Sequence, residues 1–61
     1  MSDELRERII ALHDRVNQGL RVSASEVTEA YNQATGKNVA STNCASCLRR
    51  RIGEIYKMLN N

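Results

Sequence analysis

Apolar residues recur at helical spacing in three separate stretches of the chain. Leu5, Ile9, Leu12 and Val16 follow at steps of 4, 3 and 4, which places them on one helix face. Ile10 and Ala11 lie beside that face. Ser2 is a suitable N-cap, and Asp3 and Glu4 suit the positive end of a helix dipole. A first helix is predicted over about residues 3–18, with Gly19 as a left-handed stop. Val27, Ala30, Tyr31 and Ala34 form a second stripe. Ser23 and Glu26 have the spacing of a capping box, so a second helix is predicted over about 25–34, ended by Gly36. Leu48, Ile52, Ile55 and Leu59 form the third stripe, again at steps of 4, 3 and 4. Cys44 lies four residues before Leu48 and extends it. A third helix is predicted over about 43–59. Gly53 weakens it by about 1 kcal/mol relative to Ala.

Three amphipathic helices predict an all-α fold, a small three-helix bundle in one domain spanning 1–61. The link "TGKNVASTN" is polar except for Val39, which is expected to pack onto the core. A chain of 61 residues buries about 60% of its unfolded surface. A core of that size rarely supplies more than about 3–5 kcal/mol. With no Trp or Phe and only Tyr31 and Tyr56 as aromatics, that core must be aliphatic. Such a core would gain from a metal or a partner chain; a disulfide between two Cys three apart closes too small a loop to add much stability. No apolar run approaches the roughly 20 residues that cross a membrane. The polar start of the chain carries no visible signal peptide. The expectation is a cytoplasmic protein, without membrane contact and with reduced thiols.

Charge divides the chain. Residues 1–36 hold four arginines against six acids, net −2, whereas residues 37–61 hold five cations against Glu54 alone, net +4. A basic working surface is therefore expected at the C-terminal end. Arg49, Arg50 and Arg51 are consecutive, so they fan about 100° apart around a helix. Arg49 and Arg50 are expected to point outward, with Lys57 on the face of Arg50. Arg51 falls near the edge of the apolar stripe. Lys37 lies in the link. No acid occupies the first turn of the third helix. Ser41, Thr42 and Asn43, with the free N–H groups behind them, form a candidate anion-binding helix start, which the arginines would complete. Phosphate contact with nucleic acid is the leading expectation and a protein partner the alternative, as a homo-oligomer or a regulator of another protein. A solvated basic face is the bland reading. Base reading is the weaker claim, because the link between the second and third helices is longer than a helix-turn-helix turn. Two tyrosines are also few for stacking single-stranded bases.

Cys44 and Cys47 form a C-x-x-C pair, and three readings compete. Packing leads, since free Cys behaves as a small buried hydrophobe and both residues are placed by spacing on the Leu48 stripe. A structural zinc is the second. The pair supplies two thiolates, His13 is a candidate third ligand with Asp14 or water as fourth, and a second copy of the chain could instead bring another Cys pair. A redox pair at a helix start is the third; in the thioredoxin arrangement a strand and an aromatic precede it, whereas here Ser41, Thr42 and Asn43 do. His13 alone reads best as a helix-surface histidine. No phosphate loop, nucleophile elbow or H-E-x-x-H is present. So short a chain leaves little room for a substrate pocket, so the expectation is a non-enzymatic protein with no cofactor beyond that possible zinc.

"YNQATGKN" (Tyr31 to Asn38) followed by "NCASCLRRRI" (Asn43 to Ile52) resembles small proteins of tailed bacteriophages that carry a Y-N…T-G…N-C-x-x-C-x-R arrangement. The likeness covers about half of the chain. It implies a viral protein acting in a bacterial host cell, on host machinery, nucleic acid or virion parts.

Overall fold

Ser2 opens the first helix as its side chain accepts a hydrogen bond from the Leu5 N–H at 3.2 Å. The computed structural model describes residues 2–59. Helix α1 spans Asp3–Asn17, α2 spans Ala24–Thr35 and α3 spans Ala45–Leu59. This is the expected all-α three-helix bundle, and each predicted end lies within two residues of the observed one. Helix α1 ends in a Schellman turn: Leu20 N–H donates to the Arg15 carbonyl at 2.9 Å, and Gly19 N–H to that of Val16 at 3.1 Å. Gly19 has φ 76° and Gly36, the C-cap of α2, has φ 73°, a region where a side chain is strained. Ser23 caps α2, accepting from the Glu26 N–H at 3.5 Å.

The three stripes meet in one core. Ile9, Val27, Ala30, Ile52 and Ile55 are fully enclosed, with Leu5, Leu12, Tyr31 and Leu48 at its margins. Val16, Val39 and Leu59 pack against it half-buried, Val39 as expected.

Helices α2 and α3 run in the same direction. Thr28 meets Arg51, and one turn on Tyr31 meets Glu54. The link must therefore return along α2 before α3 can start. Asn32 holds this returning segment by two hydrogen bonds: its Nδ2 donates to the Val39 carbonyl at 3.1 Å, and its Oδ1 accepts from the Val39 N–H at 2.9 Å. A side-chain amide thus satisfies both backbone groups of Val39, as a neighbouring strand would. The long link between the second and third helices is what makes the parallel arrangement possible.

Candidate functional site

The solvent side of α3 is basic by position. Ser46, Arg49, Arg50, Gly53 and Lys57 stand at i, i+3, i+4, i+7 and i+11, one continuous helix face. It lies opposite the buried Leu48, Ile52 and Ile55. Arg49, Arg50 and Lys57 are exposed. None has an ion-pair or hydrogen-bond partner among the described residues; the one ion pair there joins Arg8 to Glu29 at 3.6 Å, on α1 and α2. Glu54, the only acid of α3, is engaged on the α2 side, where the Tyr31 hydroxyl donates to its Oε2 at 3.0 Å.

Gly53 sits in the middle of this face. A Cβ built on it would meet nothing within 4 Å, so no internal contact requires glycine there. Gly53→Ala is expected to stabilise the fold by about 0.4–1 kcal/mol, read as a rise in the urea midpoint. A bare backbone flanked by cations lets a partner approach the helix closely.

Arg51 has another role from its neighbours. Its guanidinium donates to Thr28 Oγ1 at 3.3 Å and to the Ala40 carbonyl at 3.2 Å. It also lies 5.7 Å from the centre of the Tyr31 ring, and Thr28 is buried. Arg51 therefore ties α3 to both α2 and the returning link. Its expected place on the binding surface gives way to this structural one. Arg51→Ala is expected to cost about 1–2 kcal/mol, since it removes bonds made by a charged donor. Arg49→Ala is expected to stay within about 0.5 kcal/mol of the parent. Urea unfolding followed by circular dichroism compares the two. Lys37 stands on the same cluster, its Nζ 5.8 Å from the Tyr31 ring.

The start of α3 departs from expectation. The helix begins at Ala45, two residues later than predicted, because Thr42 Oγ1 takes the Cys44 N–H at 3.2 Å in a local turn. Cys44 is the cap: its carbonyl accepts from the Leu48 N–H at 3.0 Å and its Sγ from the Cys47 N–H at 3.3 Å. The Ser46 hydroxyl also lies 3.3 Å from that sulfur. The anion position predicted behind Ser41, Thr42 and Asn43 is thus taken by the chain's own sulfur.

Both thiols are exposed, which corrects the packing reading. Cys44 lies outside the helix, so the stripe cannot be extrapolated through it. Cys47 sits about 100° around from Leu48, off the stripe. The Cys44 thiol is lowered to about 7. The Cys47 thiol hydrogen-bonds to it, and the Ser46 hydroxyl and the Cys47 N–H add to the effect. The Cys47 thiol is raised, chiefly because it serves as that donor.

His13 lies elsewhere. Its ring stacks on that of Tyr56, centroids 3.6 Å apart and planes 5° from parallel, and its Nδ1 is 3.3 Å from Asn17 Nδ2. Tyr56 stands nine residues beyond Cys47 on α3, about 13 Å along the axis. Asp14, the suggested fourth ligand, accepts from Gln18 at 2.9 Å. Among the described residues no three His, Cys, Asp or Glu side chains are grouped to hold a metal ion. The predicted His13–Cys44–Cys47 set is therefore not assembled within one chain.

A groove of about 660 Å3 opens between the α1–α2 turn and the start of α3. Val16, Leu20, Val22, Ala24, Ala45 and Leu48 line it, with Arg21 and Arg49 among its polar residues. Leu20 is 56% exposed there. Among the described residues no helix is long and apolar enough to cross a membrane. No family model, curated protein or solved structure matches the chain.

Proposed function

We propose that the protein is a non-enzymatic binding module that lays the basic face of α3 against the phosphate backbone of a nucleic acid. The observation that carries this reading is the exposure of Arg49, Arg50 and Lys57 on one face around Gly53, with no acid paired to them among the described residues. From Arg49 to Lys57 the face extends about 12 Å along the helix, enough for several phosphates of a duplex strand. Phosphates need only cations at matching spacing, and this face supplies them. No step of the reading needs a cofactor. The phage-protein resemblance would set this activity in the cytoplasm of a bacterial host.

Anisotropy of a labelled DNA duplex, titrated with the protein at two salt concentrations, tests the reading. Binding that weakens as salt rises is expected; no binding at low salt would reject it. The α1–α2–α3 groove favours a second reading, a protein-interaction module. Its apolar floor beside Arg21 and Arg49 suits an apolar segment flanked by acids, on another protein or on a second copy of the chain. Sedimentation velocity with and without DNA separates self-association from nucleic-acid binding.

A further inference from the structure

We propose that Cys44 and Cys47 form a dithiol that closes reversibly to a disulfide by exchange with a low-molecular-weight disulfide such as oxidised glutathione, Cys44 attacking and Cys47 resolving. This stands apart from the nucleic-acid reading and does not depend on it.

Three observations carry it. Both sulfurs are exposed, so a small disulfide can reach them. They are held together by capping: Cys44 is the cap, Cys47 the third residue of α3, and the Cys47 N–H donates to Cys44 Sγ at 3.3 Å. That bond, with the Ser46 hydroxyl 3.3 Å away, favours a negative sulfur at Cys44 over one at Cys47. Finally, the surroundings select the reagent. No Asp or Glu lies between Ala30 and Gly53, whereas Arg49, Arg50 and Arg51 follow within a turn of Cys47. Such a field, with the positive end of the α3 dipole, opposes a divalent cation and attracts the carboxylates of glutathione.

The exchange balances in two steps. The Cys44 thiolate attacks one sulfur of the small disulfide, forming a mixed disulfide and releasing one small thiolate. Cys47 gives up its proton to solvent and attacks Cys44 Sγ. The Cys44–Cys47 bond forms and the second small thiolate leaves and is protonated. The protein loses two electrons and two protons, and the small disulfide becomes two thiols.

A thiol at about 7 is half ionised at pH 7, about 50-fold more than one near 9. Its weaker intrinsic nucleophilicity returns roughly a factor of 10, leaving Cys44 about 5-fold faster than an ordinary thiol. The test is incubation of the reduced protein with oxidised glutathione at pH 7, followed by intact-mass and peptide mass spectrometry. The wild type is expected to lose two hydrogens within one chain, with no glutathione retained. Cys47→Ser is expected to accumulate glutathione on Cys44, and Cys44→Ser to acquire it on Cys47 more slowly, since the Ser46 hydroxyl and the helix N–H act on the sulfur at position 44. Equal rates for the two variants, or a wild type that stays a dithiol or links only between chains, would overturn the proposal. So would native mass spectrometry showing zinc held by the thiols of two copies and protected from glutathione.

Discussion

Ile52→Ala is expected to leave most of the protein unfolded in water at 25 °C. Ile52 is 0% exposed and lies where all three helices meet. Shortening a buried Ile to Ala costs about 2–5 kcal/mol, from lost transfer energy and the cavity left behind. A core of this size rarely supplies more than about 3–5 kcal/mol in total, so the substitution removes most or all of it. Ile9, Val27 and Ile55 are equally enclosed, and the one aromatic of the core, Tyr31, is tied at its hydroxyl to Glu54, which limits how far it can move to fill a void. Far-UV circular dichroism in urea should show no native baseline for Ile52→Ala. Ile52→Val removes one methylene and should cost about 0.5–1.5 kcal/mol, leaving a folded protein with a lower midpoint. Ile10, 48% exposed on α1, is the control, and Ile10→Ala should shift stability by no more than about 0.5 kcal/mol. A folded Ile52→Ala protein with an unchanged midpoint would contradict the core described.

The helices were legible because each carries three or four apolar residues at steps of 3 and 4, and the first two also have their own start and stop residues. Gly19, Ser23 and Gly36 work as their types imply. What periodicity could not carry was its own end. The Leu48 stripe extrapolates backward to Cys44, but Thr42 captures the Cys44 N–H and turns the chain there, so Cys44 caps α3 and faces water. The signal available was Thr42 itself, whose hydroxyl competes with the helix for local N–H groups. The arginines show the same limit. Spacing separated Arg49 and Arg50 from Arg51, but it could not show that Arg51 reaches the Ala40 carbonyl, because that contact exists only once the link has folded back. The clamp of Asn32 on Val39 and the stack of His13 on Tyr56 join distant elements and leave no periodic trace.

These corrections narrow the working surface. Removing Arg51 and Lys37, which both stand over the Tyr31 ring, and the sulfur-filled helix start with them, leaves Arg49, Arg50 and Lys57. The two features of α3 are then distinct in chemistry: a dithiol at its first turn and a cationic side along its length. They can be tested by separate substitutions, since Cys47→Ser leaves every cation in place.

The triple variant Arg49→Ala/Arg50→Ala/Lys57→Ala is expected to abolish salt-dependent binding to duplex DNA. Three cations facing phosphates give a slope of log affinity against log salt of about −2.7, so affinity should fall about 40-fold between roughly 50 and 200 mM salt. The triple variant should bind far more weakly at low salt, and its slope should approach zero. Each single variant should bring the slope about 0.9 closer to zero. Misfolding is an unsuitable explanation for such a loss. All three side chains are exposed. Arg49 and Arg50 lie near the positive end of the α3 dipole, where removing a cation is neutral or slightly favourable, and Lys57 in the last turn contributes at most about 1 kcal/mol. Circular dichroism should therefore give the triple variant a near-parental midpoint. Arg51→Ala makes the opposite comparison, a lower midpoint with DNA affinity kept at temperatures where it stays folded. A triple variant that retains the parental slope would place the phosphate contacts elsewhere, and the basic face of α3 would have to be read as a solvated surface.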